Sequence, residues 1–226
     1  MPRKSAARAS ADPEGESKSQ RTRQRILDAA AHVLSVKGFA GTRLSDVAEY
    51  AELQAPAIYY YFPSREDLIE EVMFCGISDM RRHLQETLDA LPAGTPAMDR
   101  IMAAVEAHLR HELELSDYAT ATIRNSGQIP EHLRARQEKE SAAYGRIWQR
   151  LFDDATADGE MRDDLEPRVV RGLVLGALNW AAEWWDPKRG SLDGIVANAQ
   201  TIVRSGISPA AESTASRRKR SPRTTG

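Results

Sequence analysis

Thr42-Arg-Leu-Ser-Asp-Val-Ala-Glu-Tyr-Ala-Glu-Leu-Gln-Ala-Pro-Ala-Ile-Tyr-Tyr-Tyr-Phe-Pro-Ser-Arg-Glu-Asp-Leu68 holds two short amphipathic helices with a tight turn between them, and a third helix opens behind its aromatic cluster. Val47 and Ala48 face inward from the first helix, Leu53 fills the turn, and Ile58 and Phe62 anchor the second. That spacing is a helix-turn-helix arrangement, whose second helix lies in the major groove of DNA. The chain therefore reads first as a DNA-binding protein, and the remainder is expected to sense something.

Outward from this stretch the pattern stays helical. Upstream, Ile26, Ala29, Ala30, Val33 and Leu34 recur at helical spacing, which predicts a helix over residues 20–37 ended by Gly38. Thr42 is the expected N-cap of the next helix. Pro56 sits in the first turn of the recognition helix, where its missing N–H costs nothing. Ser64 with Asp67 resembles a capping box that opens a long helix to about residue 90. After the break at Pro92-Ala-Gly-Thr-Pro96, helices are expected over 96–114, 117–126, 130–156, 167–185 and 192–205. No segment alternates over a strand length, so the fold class is all-α. The expected divisions are a disordered arm at 1–18, a helix-turn-helix domain at 19–64, a helical effector-binding and dimerisation domain at 65–206, and a disordered basic tail at 207–226.

The head resembles the DNA-binding domain of the TetR family of bacterial transcription regulators. The likeness rests on Ile26-Leu27-Asp28-Ala29-Ala30, Lys37-Gly38-Phe39, Thr42, Asp46-Val47-Ala48, Ala57-Ile58-Tyr59-Tyr60-Tyr61-Phe62 and Ser64-Arg65-Glu66-Asp67-Leu68. Three positions depart from the family pattern. Glu52 stands where the turn usually carries Gly, so it must tolerate positive φ or reshape the turn. Gln54 and Ala55 stand where a hydroxyl residue and a basic residue usually open the recognition helix. The resemblance implies a ligand-responsive regulator, a repressor in the first place, that binds a near-palindromic double-stranded operator as a homodimer.

Composition agrees with such a protein and excludes others. The 226 residues, 41% hydrophobic and 28% charged, suit a soluble globular chain. The longest mostly apolar stretch, residues 172–185, is too short to span a bilayer, and no apolar segment follows the basic N-terminus as in a secretory signal. A lone cysteine, Cys75, excludes an internal disulfide. A cytoplasmic location is expected. The net charge of −2 is unevenly spread: residues 1–65 hold 10 Lys/Arg against 7 Asp/Glu, residues 66–206 hold 16 against 25, and residues 207–226 hold 5 against 1. A basic head on an acidic body turns the head towards phosphate.

Candidate DNA contacts divide by role. Gln54, Ala55, Ala57 and Tyr59 are the groove-facing candidates, since Gln pairs with adenine and an apolar surface meets the thymine methyl. Arg43 is placed to reach a guanine or a phosphate. Thr42, Tyr60, Ser64 and Arg65 are placed at the backbone, where contacts fix register and carry no sequence information. Tyr59 divides between contact and core, and Thr42 between contact and cap. The Arg21/Arg23/Arg25 cluster is either a solvated helix face or an arm for phosphates, and the run at residues 217–220 would add salt-dependent affinity.

In the body, apolar faces at Val169–Ala181 and Ile195–Val203 fit a four-helix bundle across a two-fold axis. Asn179-Trp180-Ala-Ala-Glu-Trp184-Trp185-Asp-Pro187-Lys-Arg-Gly190 looks like a region of those TetR-type regulators that govern fatty-acid and related acyl catabolism, which implies an acyl-CoA thioester as effector. Tyr118, Tyr144, Trp148, Trp180 and Trp184 are the candidate pocket residues, with Arg124, Arg134, Arg136 and Arg146 as candidate cations for phosphate. A regulator of efflux that responds to a drug-like compound, and a helical ligand-binding protein whose head does not read DNA, are the alternatives. His108, His111 and Glu112 are expected on a solvated helix face without a third metal ligand, and Cys75 as a buried thiol. No cofactor site and no catalytic constellation are expected.

Overall fold

In the computed structural model, residues 13–115 and 117–209 are described. Among them every regular element is helical: α1 (Pro13–Gly41), α2 (Leu44–Tyr50), α3 (Ala55–Tyr61), α4 (Arg65–Asp89), α5 (Ala97–Arg110), α6 (Asp117–Asn125), α7 (Ala135–Ala157), α8 (Pro167–Asn179), α9 (Ala181–Trp184) and α10 (Leu192–Ile207). A π-helical turn, His111–Leu115, follows α5, and a 3-10 turn, Glu131–Leu133, precedes α7.

The capping chemistry sets most boundaries. The Ser64 side chain accepts from the Asp67 N–H at the start of α4, as the sequence pattern indicates. Gly38, at φ 69° and ψ 175°, interrupts α1 where the first helical run is expected to stop. Four boundaries correct the sequence reading. α1 begins at Pro13, inside the arm expected at 1–18, because Pro fits the first helical position. Arg43, not Thr42, is the N-cap of α2; the Thr42 hydroxyl donates back to the Gly38 carbonyl at 2.8 Å instead. The helix expected over 167–185 breaks at Trp180 into α8 and α9. α10 runs to Ile207, past its expected end at 205 and into the first residue of the expected tail. The rest of the arm, residues 1–12, and of the tail, residues 210–226, lies outside the described residues.

Two hydrophobic cores are built around one shared rod. The head core gathers Ile26, Leu27, Leu34, Val47, Ile58 and Phe62 with the first half of α4, Leu68, Ile69, Val72 and Met73, and it also takes Ala121, Ile129 and Leu133 from beyond residue 65. The body core holds the second half of α4, Ile77, Met80 and Leu84, against Ile101, Val105, Trp148, Phe152 and Val174. α5 is the central helix, packed by α4, α7, α8 and α10, which is why its buried face is broad and only the stripe through Asp99, Glu106 and Arg110 stays open. Among the described residues no helix is long and apolar enough to cross a membrane.

Candidate functional site

The head presents a built helix-turn-helix. α2 closes with Leu53 N–H on the Ala48 carbonyl at 2.8 Å and Glu52 N–H on the Glu49 carbonyl at 3.1 Å. This is a Schellman closure, which needs a left-handed residue just past the cap. Glu52 takes that role at φ 54°, where a glycine would be free of strain. The turn then delivers Gln54 as N-cap of α3, with Pro56 in its first turn. Ile58 and Phe62 are buried in the head core. On the opposite side Tyr60 is 82% and Tyr59 57% exposed. Arg43 and Gln54 are exposed, and Ala55, Ala57 and Ser64 are half-buried.

Two expected phosphate ligands face inward. Thr42 is only 2% exposed, with its hydroxyl already donated to Gly38. Arg65 donates to the Thr42 carbonyl at 2.7 Å and to the Phe39 carbonyl, and its guanidinium lies 4.6 Å from the centroid of the Phe39 ring. It clamps the segment between α1 and α2 onto the start of α4. Of the arginine cluster, Arg23 is paired with Glu71 at 2.7 Å, and Arg21 and Arg25 are exposed. Burial pushes the Glu71 carboxyl up, but Arg23 and Arg136 outweigh it and hold the group below the usual carboxylate range.

Head and body are joined through α6. The Tyr118 hydroxyl donates to Asp28 Oδ1 at 2.8 Å and accepts from Gln24 Nε2 at 3.1 Å. Asn125, wholly buried, accepts from the Phe39 N–H at 2.7 Å and donates to the Ala121 and Leu34 carbonyls. Asp117 Oδ2 stands 3.1 Å from His32 Nδ1. α6 also presses on α4: a Cβ at Gly76 would lie 2.4 Å from the Tyr118 carbonyl oxygen and 2.2 Å from Thr122 Oγ1. Only glycine allows this approach.

The other side of α6 forms a wall of a cavity of about 440 Å³. Ile77 and Met80 of α4, Ile123 and Arg124 of α6, Gln137, Ser141 and Tyr144 of α7, and Leu175, Asn179 and Trp180 at the end of α8 line it. The size falls in the range of small-molecule sites. Arg124 belongs to both the cavity and the joint. It donates to Glu183 Oε1 at 2.9 Å, to the Ala182 carbonyl, and to the Ser35 carbonyl of α1 at 3.1 Å.

Of the expected pocket residues the cavity unites Arg124, Tyr144 and Trp180. Three others go elsewhere. Tyr118 is in the joint with α1, where burial and the neighbouring Asp28 push its hydroxyl pKa up. Trp148 is fully buried in the body core. Trp184 lines a separate hollow of about 630 Å³ with Trp185, Arg189 and Ile195, beyond the break at Trp180 that separates α9 from α8. Among the other cations, Arg136 is held by Glu71 at 2.9 Å and Glu70 at 3.6 Å, and Arg134 stands 3.6 Å from Glu138. Arg146 is exposed on α7 outside the cavity.

Behind Tyr144 lies a polar group expected on a solvated face and instead interior. His108 is 2% and Glu112 1% exposed, and His111 is also buried. Asp99, Glu106 and Arg110 form the outer stripe of α5, and His108 lies on the opposite side of the helix, against the body core. His108 Nδ1 is 2.7 Å from the Tyr144 hydroxyl. Its Nε2 is 3.2 Å from Glu112 Oε2, close enough for an ion pair but not aligned as a hydrogen bond. Burial raises the pKa of Glu112 and of Tyr144. Burial, with the stacked His83 ring 5.1 Å away, lowers that of His111 to about 4. The widened turn at His111–Leu115 leaves the Glu112 carbonyl to accept from the Thr120 hydroxyl at 3.0 Å. Among the described residues no three His, Cys, Asp or Glu side chains are grouped to hold a metal. Cys75 is half-buried, and burial pushes its thiol up to about 11.

Comparison with known proteins agrees with this architecture at both ends. Residues 26–72 match the family model of bacterial regulatory proteins of the tetR family, and residues 94–206 match the tetracyclin repressor-like C-terminal domain. The HTH-type transcriptional repressor KstR2 of Mycolicibacterium smegmatis is 23% identical over 176 residues, covering 77% of this chain and 84% of its own. The crystal structure of AibR in complex with isovaleryl coenzyme A and operator DNA superposes with a TM-score of 0.73 at 17% identity, covering 80% of this chain and 97% of that one. The crystal structure of FadR from Bacillus subtilis in complex with stearoyl-CoA gives 0.67 at 19% identity, covering 81% and 98%. With a helix-turn-helix head, a cavity-bearing helical body and family models that match both, the chain belongs to the TetR family of bacterial transcriptional regulators.

Proposed function

We propose that the chain is a homodimeric repressor that leaves its operator when an acyl-CoA thioester enters the cavity between α4, α6, α7 and α8. The observation that carries this reading is the double role of α6. One side of it is cavity wall, and the other clasps α1 through Tyr118, Asn125 and Arg124. A ligand that moves this wall moves the head with it. Its differential affinity for the two head positions is then the free energy that opposes operator binding.

Arg43, Gln54, Ala55, Ala57, Tyr59 and Tyr60 form the surface that meets DNA, and Ser64 holds the start of α4 behind it. Leu173 on α8 and Ile202 on α10 are 69% and 71% exposed, and Val169 is also open. A second copy covers this stripe, which sets two heads one turn of DNA apart, ~34–36 Å. Arg124 is the cation at the cavity wall, and an anionic group of the thioester competes with Glu183 for it. The acyl-CoA class is supported by the ligands in the two related crystal structures, whose fold this chain shares.

The test is a mobility shift with DNA flanking the protein's own gene, at stated salt, with and without acyl-CoAs. Specific binding released by a thioester is the expected result. Binding that no thioester disturbs removes the effector class, and no specific binding removes the repressor reading.

A further inference from the structure

The unit that enters the groove is acidic. Between residues 43 and 62 there is one cation, Arg43, against three carboxylates, Asp46, Glu49 and Glu52. α3 itself, Ala55–Tyr61, carries no charged residue. Several neighbouring cations of the head are already engaged. Lys37 pairs with Asp46 at 2.9 Å, Arg23 with Glu71, and Arg65 with the carbonyls it clamps. Attraction to phosphate therefore comes from outside α3, from groups such as the exposed Arg21, Arg25 and Arg43. What α3 brings to the bases is neutral.

That neutral surface is also largely apolar. The N-terminal residues of a recognition helix are the ones that reach base edges. Here they are Gln54, Ala55, Pro56 and Ala57. Pro56 is exposed, and the short side chains on either side of it allow the backbone a close approach. Further along, Tyr59 is 57% exposed and lies outside the head core. The bidentate contact to guanine takes an Arg or a Lys, and the contact to cytosine N4 takes a carboxylate. α3 has neither. The Tyr59 hydroxyl makes single hydrogen bonds, which do not separate one base pair from another. A pyrrolidine ring, a methyl and a phenol ring instead match the one apolar group that the major groove displays, the C5-methyl of thymine. Gln54 agrees with this. Its side chain makes no capping bond to α3, and an amide pairs with the N6/N7 edge of adenine.

We propose that α3 reads its half-site through thymine methyl groups, with Pro56, Ala57 and Tyr59 as the reading surface. This rests on the repressor reading and names the feature of the operator that the head recognises. Burying one methyl is worth about fourfold in affinity, and a two-fold dimer meets each such methyl twice.

The experiment starts from duplexes that the full chain enriches out of a random DNA pool. Each thymine is then replaced by uracil, symmetrically in both half-sites. The exchange removes the methyl and leaves base pairing and every groove donor and acceptor in place. Fluorescence anisotropy at one fixed salt concentration reads the affinity. At least one uracil pair should weaken binding about tenfold or more. At one such pair the penalty should persist in Tyr59→Phe, which keeps the ring, and largely vanish in Tyr59→Ala. Uracil that nowhere costs more than about twofold overturns the proposal and leaves the repressor reading standing. A penalty that Tyr59→Ala leaves intact at every pair overturns the assignment to Tyr59. A pool from which no duplex is enriched removes the repressor reading and the proposal together.

Discussion

Replacing Gly76 by alanine should drive α4 and α6 apart. The new Cβ would lie 2.4 Å from the Tyr118 carbonyl oxygen, where ordinary contact is 3.4–4 Å. Turning the Thr122 side chain away removes the 2.2 Å clash with its hydroxyl but not the one with backbone. The helices must therefore part by roughly 1 Å, and overpacking of this kind costs about 1–3 kcal/mol. Alanine returns about 1 kcal/mol through helix propensity. The net expectation is a loss of up to about 2 kcal/mol. Gly145, inside α7 with nothing within 4 Å of its would-be Cβ, is the control: there alanine should stabilise by up to about 1 kcal/mol. Urea unfolding of both variants at one fixed protein concentration reads the two signs, because self-association makes apparent stability depend on concentration. Equal shifts in the two variants would refute the packing of α4 on α6. Double replacement with Thr122→Ala should recover only part of the loss.

Other substitutions isolate other links. Glu52→Gly should stabilise the head by about 0.5–1 kcal/mol, the relief of left-handed strain less the added freedom of the unfolded chain; an unchanged urea midpoint would contradict a left-handed residue at the turn. Arg65→Lys should cost about 1–2 kcal/mol, because an ammonium cannot serve both carbonyls and stack on Phe39; thermal unfolding checks it, and wild-type stability would mean that the clamp is not formed. The folded pKa of His111 is lowered to about 4 from 6.5. The unfolded chain therefore binds the extra proton between these values, and stability falls as pH drops from about 6.5 to 4. The full effect is up to about 3 kcal/mol, with the raised Glu112 carboxyl acting in the opposite sense. The stability difference between wild type and His111→Gln should shrink over that window, and a constant difference would show that His111 does not titrate so.

The head is legible in the sequence because its determinants are local. The family resemblance leaves Glu52 to tolerate positive φ or reshape the turn, and it does the first; the cap at Ser64 follows from its spacing to Asp67, and the anchors Ile58 and Phe62 from helical period. Each depends on residues a few positions apart. The body is legible only as helices. Periodicity does place His108 opposite the outer stripe of Asp99, Glu106 and Arg110 on α5, but a polar side chain on that side gives no sign in sequence of the partners that would bury it. Tyr118 and Trp148 depart from their expected places for a related reason. Their partners lie far along the chain, Asp28 for the one and a core built from several helices for the other. Arg124 and Tyr144 do reach the cavity, but sequence reasoning misses Gln137. An amide on an otherwise charged helix gives no sign that its oxygen is buried and bare.

The sharing of α4 between two cores bears on how such regulators can be recombined. A chimaera spliced after residue 64 would graft a new head but leave Leu68, Ile69, Val72 and Met73 to be matched by chance. The donor segment has to run through Met73. The recipient must also offer surfaces equivalent to Ala121, Ile129 and Leu133, which close the head core from the other side. Specificity for DNA and for ligand are thus exchangeable parts only when the joint in the middle of the rod travels with the head.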